Sequence, residues 1–175
     1  MKKIKKRFIP DTIKDTVYDI DIGYLEKNSI RGIIFDIDNT LVPYDTPLPT
    51  EEVSEYLTGL AAAGYQVCFV SNNKAERVEL FNRTFNFRTY PCARKPSARA
   101  LTEAVSHMRL NPGQVLMVGD QLFTDIYAAR RAGTKAALVR PIKPVESLFF
   151  KIKRMGEKPF LRHYYKRCAK ETGEE

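Results

Sequence analysis

The sequence predicts a doubly wound α/β fold, in which helices cover both faces of a parallel β-sheet. Short apolar segments alternate with segments of helical periodicity along the middle of the chain, which is the order expected of parallel strands joined by crossover helices. The apolar segments are continuous, so we expect both faces of each strand to be buried. A chain of 175 residues, 43% of them hydrophobic, is long enough to form one such domain.

Four segments are predicted to be strands because they are rich in β-branched and aromatic residues and end in polar or turn residues. In chain order they read GIIFD, YQVCFVS, QVLMVGD and KAALV. A helix is predicted from about Thr50 to Ala63, with Gly64 in position to end it. Further helices are predicted over residues 74–85, 97–110 and 124–132, and Gly133 closes the last of them.

Polar side chains follow the predicted strands at the points where the strands end. Asp36 and Asp38 follow the first strand, Ser71 follows the second, and Asp120 follows QVLMVG. Two further residues join this set: Asp125 in the next segment and Lys95 ahead of a predicted helix. Ligands of open α/β sheets bind outside the carboxyl ends of the strands, so these side chains are expected at one site.

Four carboxylates at one sheet edge require a cation. Each close pair would cost on the order of 4 kcal/mol at an effective dielectric constant of 20. Carboxylate oxygens without softer ligands favour a hard ion, and Mg²⁺ binds through one or two carboxylates together with phosphate oxygens and water. A calcium-binding EF-hand loop starting at Asp36 is excluded, because Leu41 stands where that loop needs glycine and Pro47 where it needs glutamate.

The same residues suit phosphoryl transfer. A carboxylate such as Asp36 can act as a nucleophile and form an aspartyl-phosphate. Asp38, two residues later, could protonate the leaving oxygen and then activate water. Ser71 and Lys95 would hold phosphoryl oxygens, and Asp120 would complete the metal site.

These segments resemble the motifs of a known superfamily. DIDNT, VSNN, the lysine of ARKP, and GDQLFTD resemble the four motifs of the haloacid dehalogenase (HAD) superfamily, in the same order and with similar spacing. Together with DNTLV and GDQLFTDI they closely resemble the YqeG-like phosphatases of subfamily IIIA, whose mitochondrial relatives dephosphorylate phosphatidylglycerophosphate. The resemblance covers about residues 30–142.

The resemblance implies a role for each motif residue. Asp36 would be nucleophile and metal ligand, and Asp38 would be the acid/base with its main-chain carbonyl oxygen on the Mg²⁺. Asp120 would be a metal ligand, Asp125 would reach the metal through water or another ligand, and Thr40 would be mainly structural. The implied phosphate-binding residues are Ser71, Asn72 and Lys95.

We predict one domain over residues 1–175, with a core of about 30–142, a basic N-terminal segment 1–14 and a basic amphipathic C-terminal segment 143–175. The motifs are too closely spaced for an inserted lid domain. An open site would accept a phosphate carried on a lipid, a protein or a nucleic acid end. The stretch PVESLFFKIKRM has the pattern of a basic amphipathic helix, which would lie on an anionic membrane or pack against the sheet.

Charge and cysteine content bear on location and partners. Three cysteines without metal-ligand spacing favour a reducing cytoplasm, no export signal is visible, and the net charge of +8 favours an anionic partner. Phosphatidylglycerophosphate is the best candidate substrate, which would bring the protein into peripheral contact with the inner face of the membrane. The alternatives are a phosphatase of soluble sugar phosphates or nucleotides, and a nucleic-acid or ribosome-associated binding protein.

Overall fold

The computed structural model describes residues 7–143 and 155–166. Its centre is a parallel six-stranded sheet in the order β1-β6-β5-β2-β3-β4. The strands are β1 (Thr12–Lys14), β2 (Gly32–Phe35), β3 (Gln66–Val70), β4 (Arg88–Tyr90), β5 (Val115–Gly119) and β6 (Lys135–Val139). The predicted fold class is therefore confirmed.

Helices connect the strands. They are α1 (Ile22–Lys27), α2 (Glu51–Ala62), α3 (Ala75–Asn82), α4 (Arg99–Met108), α5 (Tyr127–Ala132) and a final helix, α6, over residues 155–166. The α2 helix begins as predicted, because the Thr50 side chain accepts a hydrogen bond from the Val53 N–H at 3.2 Å. Gly64 follows α2 with a φ of 89°, a left-handed conformation that glycine adopts without steric cost.

The helix predicted over residues 124–132 proved to be two elements. A π-helical turn, Leu122–Ile126, precedes α5. The Ile126 N–H reaches back to the Gln121 carbonyl at 3.3 Å, an i→i+5 spacing that widens the turn. Such turns occur mostly at functional sites, and this one contains Asp125.

Two edge strands, β1 and β4, were not predicted. Each has only three residues, too few for a readable hydrophobic pattern. Tertiary contacts hold β1 in place, since the Asp11 side chain accepts a hydrogen bond from the Ala136 N–H at 2.8 Å and pairs with Arg130 at 2.9 Å. Arg130 also donates to the Ile9 carbonyl.

The central strands are buried on both faces, as their continuous apolar sequences predict. In β2, Ile33 and Phe35 belong to a core layer that includes Leu57 of α2 and Phe81 of α3. Ile34 belongs to the opposite layer, which includes α4 and α5. This alternation follows the two-residue period of a strand and gives three layers, helix, sheet and helix.

The strand order reverses at β2 and β5. From β2 the chain proceeds to β3 and β4 on one side, then returns to β5 and β6 on the other. Phe35 lies opposite Val118, so that the Asp36 N–H donates to the Val118 carbonyl at 2.9 Å. Asp36 and Asp120 therefore leave neighbouring strand ends at the switch point, where open α/β sheets bind their ligands.

Residues 155–166 pack beside the π-helical turn. Phe160 lies 5.1 Å from Phe8 and 5.8 Å from Phe123 between ring centroids, and the buried Glu157 carboxylate accepts a hydrogen bond from the Leu122 N–H at 3.2 Å. The predicted amphipathic helix PVESLFFKIKRM, apart from its last residue, lies outside the described residues, as do residues 1–6 of the basic N-terminal segment. None of the described helices is long and apolar enough to cross a membrane.

Replacing Glu157 tests whether this hydrogen bond anchors α6. Glu157→Ala removes the acceptor of a buried N–H and should lower the free energy of unfolding by about 1–3 kcal/mol. Glu157→Gln keeps an acceptor oxygen and should cost less than half as much. Urea unfolding of the two variants measures the difference, and equal losses would show that the hydrogen bond to Leu122 is not the cause.

Candidate active site

A pocket of about 450 Å³ opens at the carboxyl ends of β2, β3 and β5. Three loops form it, which follow β2, β3 and β5, together with the loop that carries Lys95. The residues that line it are Asp36, Asp38, Asn39, Tyr44, Ser71, Asn72, Asn73, Lys74, Lys95, Gln121, Thr124 and Asp125. The sheet edge identified from the sequence is therefore the place where most of the predicted residues meet.

The loop after β2 turns sharply around its polar residues. Asn39 adopts a φ of 63°, a left-handed conformation that asparagine tolerates better than most residues, and its N–H donates to the Val42 carbonyl at 2.7 Å. The turn leaves Asp36 only 6% exposed and Thr40 only 2% exposed. Thr40 makes a long hydrogen bond of 3.4 Å to Asp36 Oδ2, in keeping with a mainly structural part.

Two loops are joined so that Lys95 reaches the pocket. Asn72 clamps the Lys95 backbone from both sides: its Oδ1 accepts from the Lys95 N–H at 2.6 Å and its Nδ2 donates to the Lys95 carbonyl at 3.1 Å. The Ala93 N–H also donates to the Ser71 carbonyl at 3.0 Å. The Asn72 side chain thus positions the lysine, and the predicted contact of Asn72 with phosphate stays a prediction.

The Lys95 ammonium is enclosed by protein oxygens. Its Nζ lies 2.7 Å from Asp36 Oδ1, 2.7 Å from Asp125 Oδ1 and 2.8 Å from the Val70 carbonyl. The contacts with Asp36 and the Val70 carbonyl are hydrogen bonds, and the contact with Asp125 is an ion pair. Lys95 is thus the counter-charge of two buried aspartates, and its predicted contact with phosphate stays a prediction.

The buried charges shift each other's protonation. The pKa of Asp36 is raised to about 7, chiefly because the carboxylate is buried; Lys95 opposes the rise, and the charges of Asp125 and Asp38 contribute to it. Burial alone would lower the pKa of Lys95, but the charges of Asp125 and Asp36 outweigh this and raise it above its ordinary value. A protonated Lys95 is therefore a fixed feature of the site at neutral pH.

Three carboxylates could hold a metal ion. Asp36, Asp120 and Asp125 are buried and each offers an oxygen within 4.8 Å of the others. When ionised they carry three negative charges against the single positive charge of Lys95. The excess negative charge and the hard oxygen donors fit a cation such as Mg²⁺.

Gly119 allows Asp125 to approach this cluster. A Cβ at position 119 would lie 2.5 Å from Asp125 Cγ, closer than two carbon atoms can pack. Asp125 is fixed from its other side as well, because its Oδ2 accepts from the Gln121 N–H at 3.0 Å. Asp125 lies within the carboxylate cluster, and its expected contact with the metal through water or another ligand stays a prediction.

The Asp38 side chain takes no part in that cluster. Its Oδ1 accepts from Arg77 Nη2 at 3.0 Å, and its Oδ2 accepts from Asn73 Nδ2 at 3.1 Å. The predicted metal contact of Asp38, through its main-chain carbonyl, stays a prediction. Sequence reasoning missed Arg77 and Asn73, although Arg77 faces the same side of α3 as Phe81, four residues later, which identifies an inward-facing position.

Ser71 is suited to hold an anion. It is 1% exposed, lines the pocket and accepts a hydrogen bond from the Asn73 N–H at 3.0 Å. Its hydroxyl proton has no acceptor in the described part of the chain. The side chain can therefore donate to a phosphate oxygen, and this role stays a prediction.

Comparison with known proteins points to phosphatases. The family described as HAD-hydrolase-like matches residues 92–141. The chain is 34% identical to the probable phosphatase YqeG of Bacillus subtilis, over 90% of this chain and 92% of that protein. It is 28% identical to phosphatidylglycerophosphate phosphatase 1 of Arabidopsis thaliana over 79% of this chain, which spans only 42% of that protein.

A solved structure shares the fold. The cobalt-bound deoxy-D-mannose-octulosonate 8-phosphate phosphatase of Haemophilus influenzae superposes with a TM-score of 0.55 at 12% identity, covering 64% of this chain and 69% of that one. At this identity the likeness concerns the fold alone.

Gly119→Ala tests the close approach of Asp125. The new methyl group should push Asp125 away from Lys95 and weaken Mg²⁺ binding by about 10- to 100-fold, as the loss of supporting contacts does at other metal sites. Calorimetric titration with Mg²⁺ gives the affinity, alongside the melting temperature. Gly113→Ala is the matched control, because a Cβ at position 113 meets nothing within 4 Å. Unchanged Mg²⁺ affinity in Gly119→Ala would contradict the assignment of Asp125 to the cation site.

Proposed function

The chain belongs to the haloacid dehalogenase superfamily, in the YqeG-like family of phosphatases, and from this premise we propose that it hydrolyses phosphomonoesters through an aspartyl-phosphate on Asp36 with Mg²⁺ as its cation. The observation that carries the proposal is the buried Asp36 beside Lys95, at the centre of a pocket that contains a second acid, Asp38.

The two aspartates divide the chemistry between them. Asp36 attacks the phosphorus, a bond forms between its oxygen and the phosphorus, and the bond to the substrate oxygen breaks. Asp38 gives a proton to that departing oxygen and later takes one from the water that attacks the aspartyl-phosphate. Inorganic phosphate leaves and the Asp36 carboxylate is restored.

The surroundings of Asp36 favour attack through Oδ2. Oδ1 is held by Lys95 at 2.7 Å, whereas among the described residues Oδ2 has only the 3.4 Å contact with Thr40. Asp36, Asp120 and Asp125 would hold the Mg²⁺. When bound, the cation would supply positive charge that favours the ionised, nucleophilic form of Asp36 and offsets charge on the phosphate.

We further propose phosphatidylglycerophosphate as the substrate. The Arabidopsis relative carries that activity in its name, and the pocket opens to solvent without an inserted domain between residues 36 and 74. This lipid carries a phosphodiester in addition to the terminal phosphate. Lys74 is exposed at the pocket and makes no ion pair with the described residues, so it is available to contact the second phosphate.

Asp36→Asn tests the mechanism. It should lower the rate of phosphate release by about three orders of magnitude or more, since the nucleophile is lost while the shape of the side chain is kept. Release from the wild type should also stop when EDTA removes Mg²⁺. Asp45→Asn serves as the control, because Asp45 is exposed and pairs only with Lys143 among the described residues. Undiminished activity of Asp36→Asn would exclude the aspartyl-phosphate.

A substrate panel tests the lipid assignment. Phosphatidylglycerophosphate in anionic vesicles should give a higher kcat/KM than soluble sugar phosphates or nucleotides. Lys74→Gln should raise KM for the lipid about tenfold, the value of one charge-assisted hydrogen bond, and leave glycerol 3-phosphate hydrolysis unchanged. Lys27→Gln, an exposed lysine at the end of α1, is the matched control. Equal or better activity on the soluble panel would exclude the lipid as the preferred substrate and keep the mechanism.

A further inference from the structure

Both carboxylate oxygens of Asp38 are held by residues of the segment after β3. Arg77 Nη2 donates to Oδ1 at 3.0 Å and Asn73 Nδ2 donates to Oδ2 at 3.1 Å. The Asp38 side chain is only 11% exposed. Its orientation in the pocket is therefore set by two contacts.

Arg77 is itself firmly held. Its Nη2 also donates to the Thr46 carbonyl at 2.7 Å, and its Nη1 donates to the Pro47 carbonyl at 2.8 Å. The guanidinium lies over the ring of Phe81, 5.7 Å from the centroid, and Phe81 is fully buried. The guanidinium presents its donors from separate nitrogens in one rigid plane, whereas a lysine has all its donors on a single, more flexible nitrogen.

The two carbonyls belong to the loop that continues from the Asp38 turn towards α2. Tyr44 of the same loop lines the pocket. The Arg77 guanidinium thus joins Asp38, the proposed acid/base, to the loop that forms one side of the pocket. Displacement of this loop would break the hydrogen bonds of Arg77 to the Thr46 and Pro47 carbonyls. Arg77 would then hold Oδ1 of Asp38 less firmly.

We propose that Arg77 is a positioning residue for the proton transfers of Asp38, and that it makes the alignment of Asp38 depend on the loop at Thr46 and Pro47. The proposal rests on the proposed function, in which Asp38 is the acid/base. One hydrogen bond to each carboxylate oxygen leaves a second lone pair on each, so Asp38 can carry and transfer a proton while it is held. Arg77 is not among the described residues that line the pocket, so it would act through Asp38.

The dependence of the rate on the leaving group tests this role. The leaving group of an aryl phosphate such as p-nitrophenyl phosphate is a stable phenolate, which departs without being protonated. The leaving group of an alkyl phosphate such as glycerol 3-phosphate is an alkoxide, which needs a proton as it departs. Arg77→Gln should lower kcat/KM for the alkyl ester about tenfold or more, and for the aryl ester less than about threefold, because only the former needs general acid catalysis. Arg83→Gln, an exposed arginine just after α3, should change neither.

Two further variants separate positioning from charge and from folding. Arg77→Lys keeps the charge but replaces the two nitrogens of the planar guanidinium that make these contacts by a single nitrogen, so it should fail to restore the alkyl ester rate. In an Asp38→Asn background, Arg77→Gln should have less than about a twofold further effect, because residues acting through one another are not additive. Melting temperatures of all variants report on folding.

The outcomes distinguish this proposal from the proposed function. Equal losses on both esters, or full restoration by lysine, would overturn the positioning role. If Asp38→Asn loses alkyl ester activity selectively but Arg77→Gln does not, the assignment to Arg77 fails while the mechanism stands. If Asp38→Asn hydrolyses both esters like the wild type, the acid/base role of Asp38 itself fails.

Discussion

The contact of Lys95 with Asp36 and Asp125 is the interaction on which the site depends. Burying carboxylates at a sheet edge is costly unless a positive charge compensates them. Neighbouring residues hold these charges in place: the Asn72 side chain makes two hydrogen bonds to the Lys95 backbone, and Gly119 leaves room for Asp125. One ammonium cannot balance three ionised aspartates, so the same arrangement that binds the lysine leaves charge for a cation to neutralise.

The pocket divides its aspartates into two environments. Asp36, Asp120 and Asp125 lie together around Lys95, whereas the Asp38 side chain turns to Arg77 and Asn73. Carboxylates in different environments can take different roles in one reaction. In the proposed mechanism, this separation would give phosphorus and cation chemistry to one half of the pocket and proton transfer to the other, although Asp36 and Asp38 are two residues apart in the chain.

Residues distant in sequence also support the turn that contains Asp125. Glu157 caps the Leu122 N–H at the start of the π-helical turn, and Phe160 packs against Phe8 and Phe123. The turn that follows Asp120 therefore rests on residues from near both ends of the described chain. On the opposite side of the pocket, the described residues include the loop that contains Tyr44, which Arg77 holds through the Thr46 and Pro47 carbonyls.

The fold class, the four central strands and the sheet edge that carries Asp36, Ser71 and Asp120 could be predicted from the sequence, because buried strands and their polar ends are local patterns. The partner of each charge could not be predicted and is seen only in the folded structure. The three-residue strands β1 and β4, the bond from Glu157 to Leu122 and the pairing of Arg77 with Asp38 join segments far apart in sequence. Such contacts follow from the packing of layers, and no local periodicity encodes them.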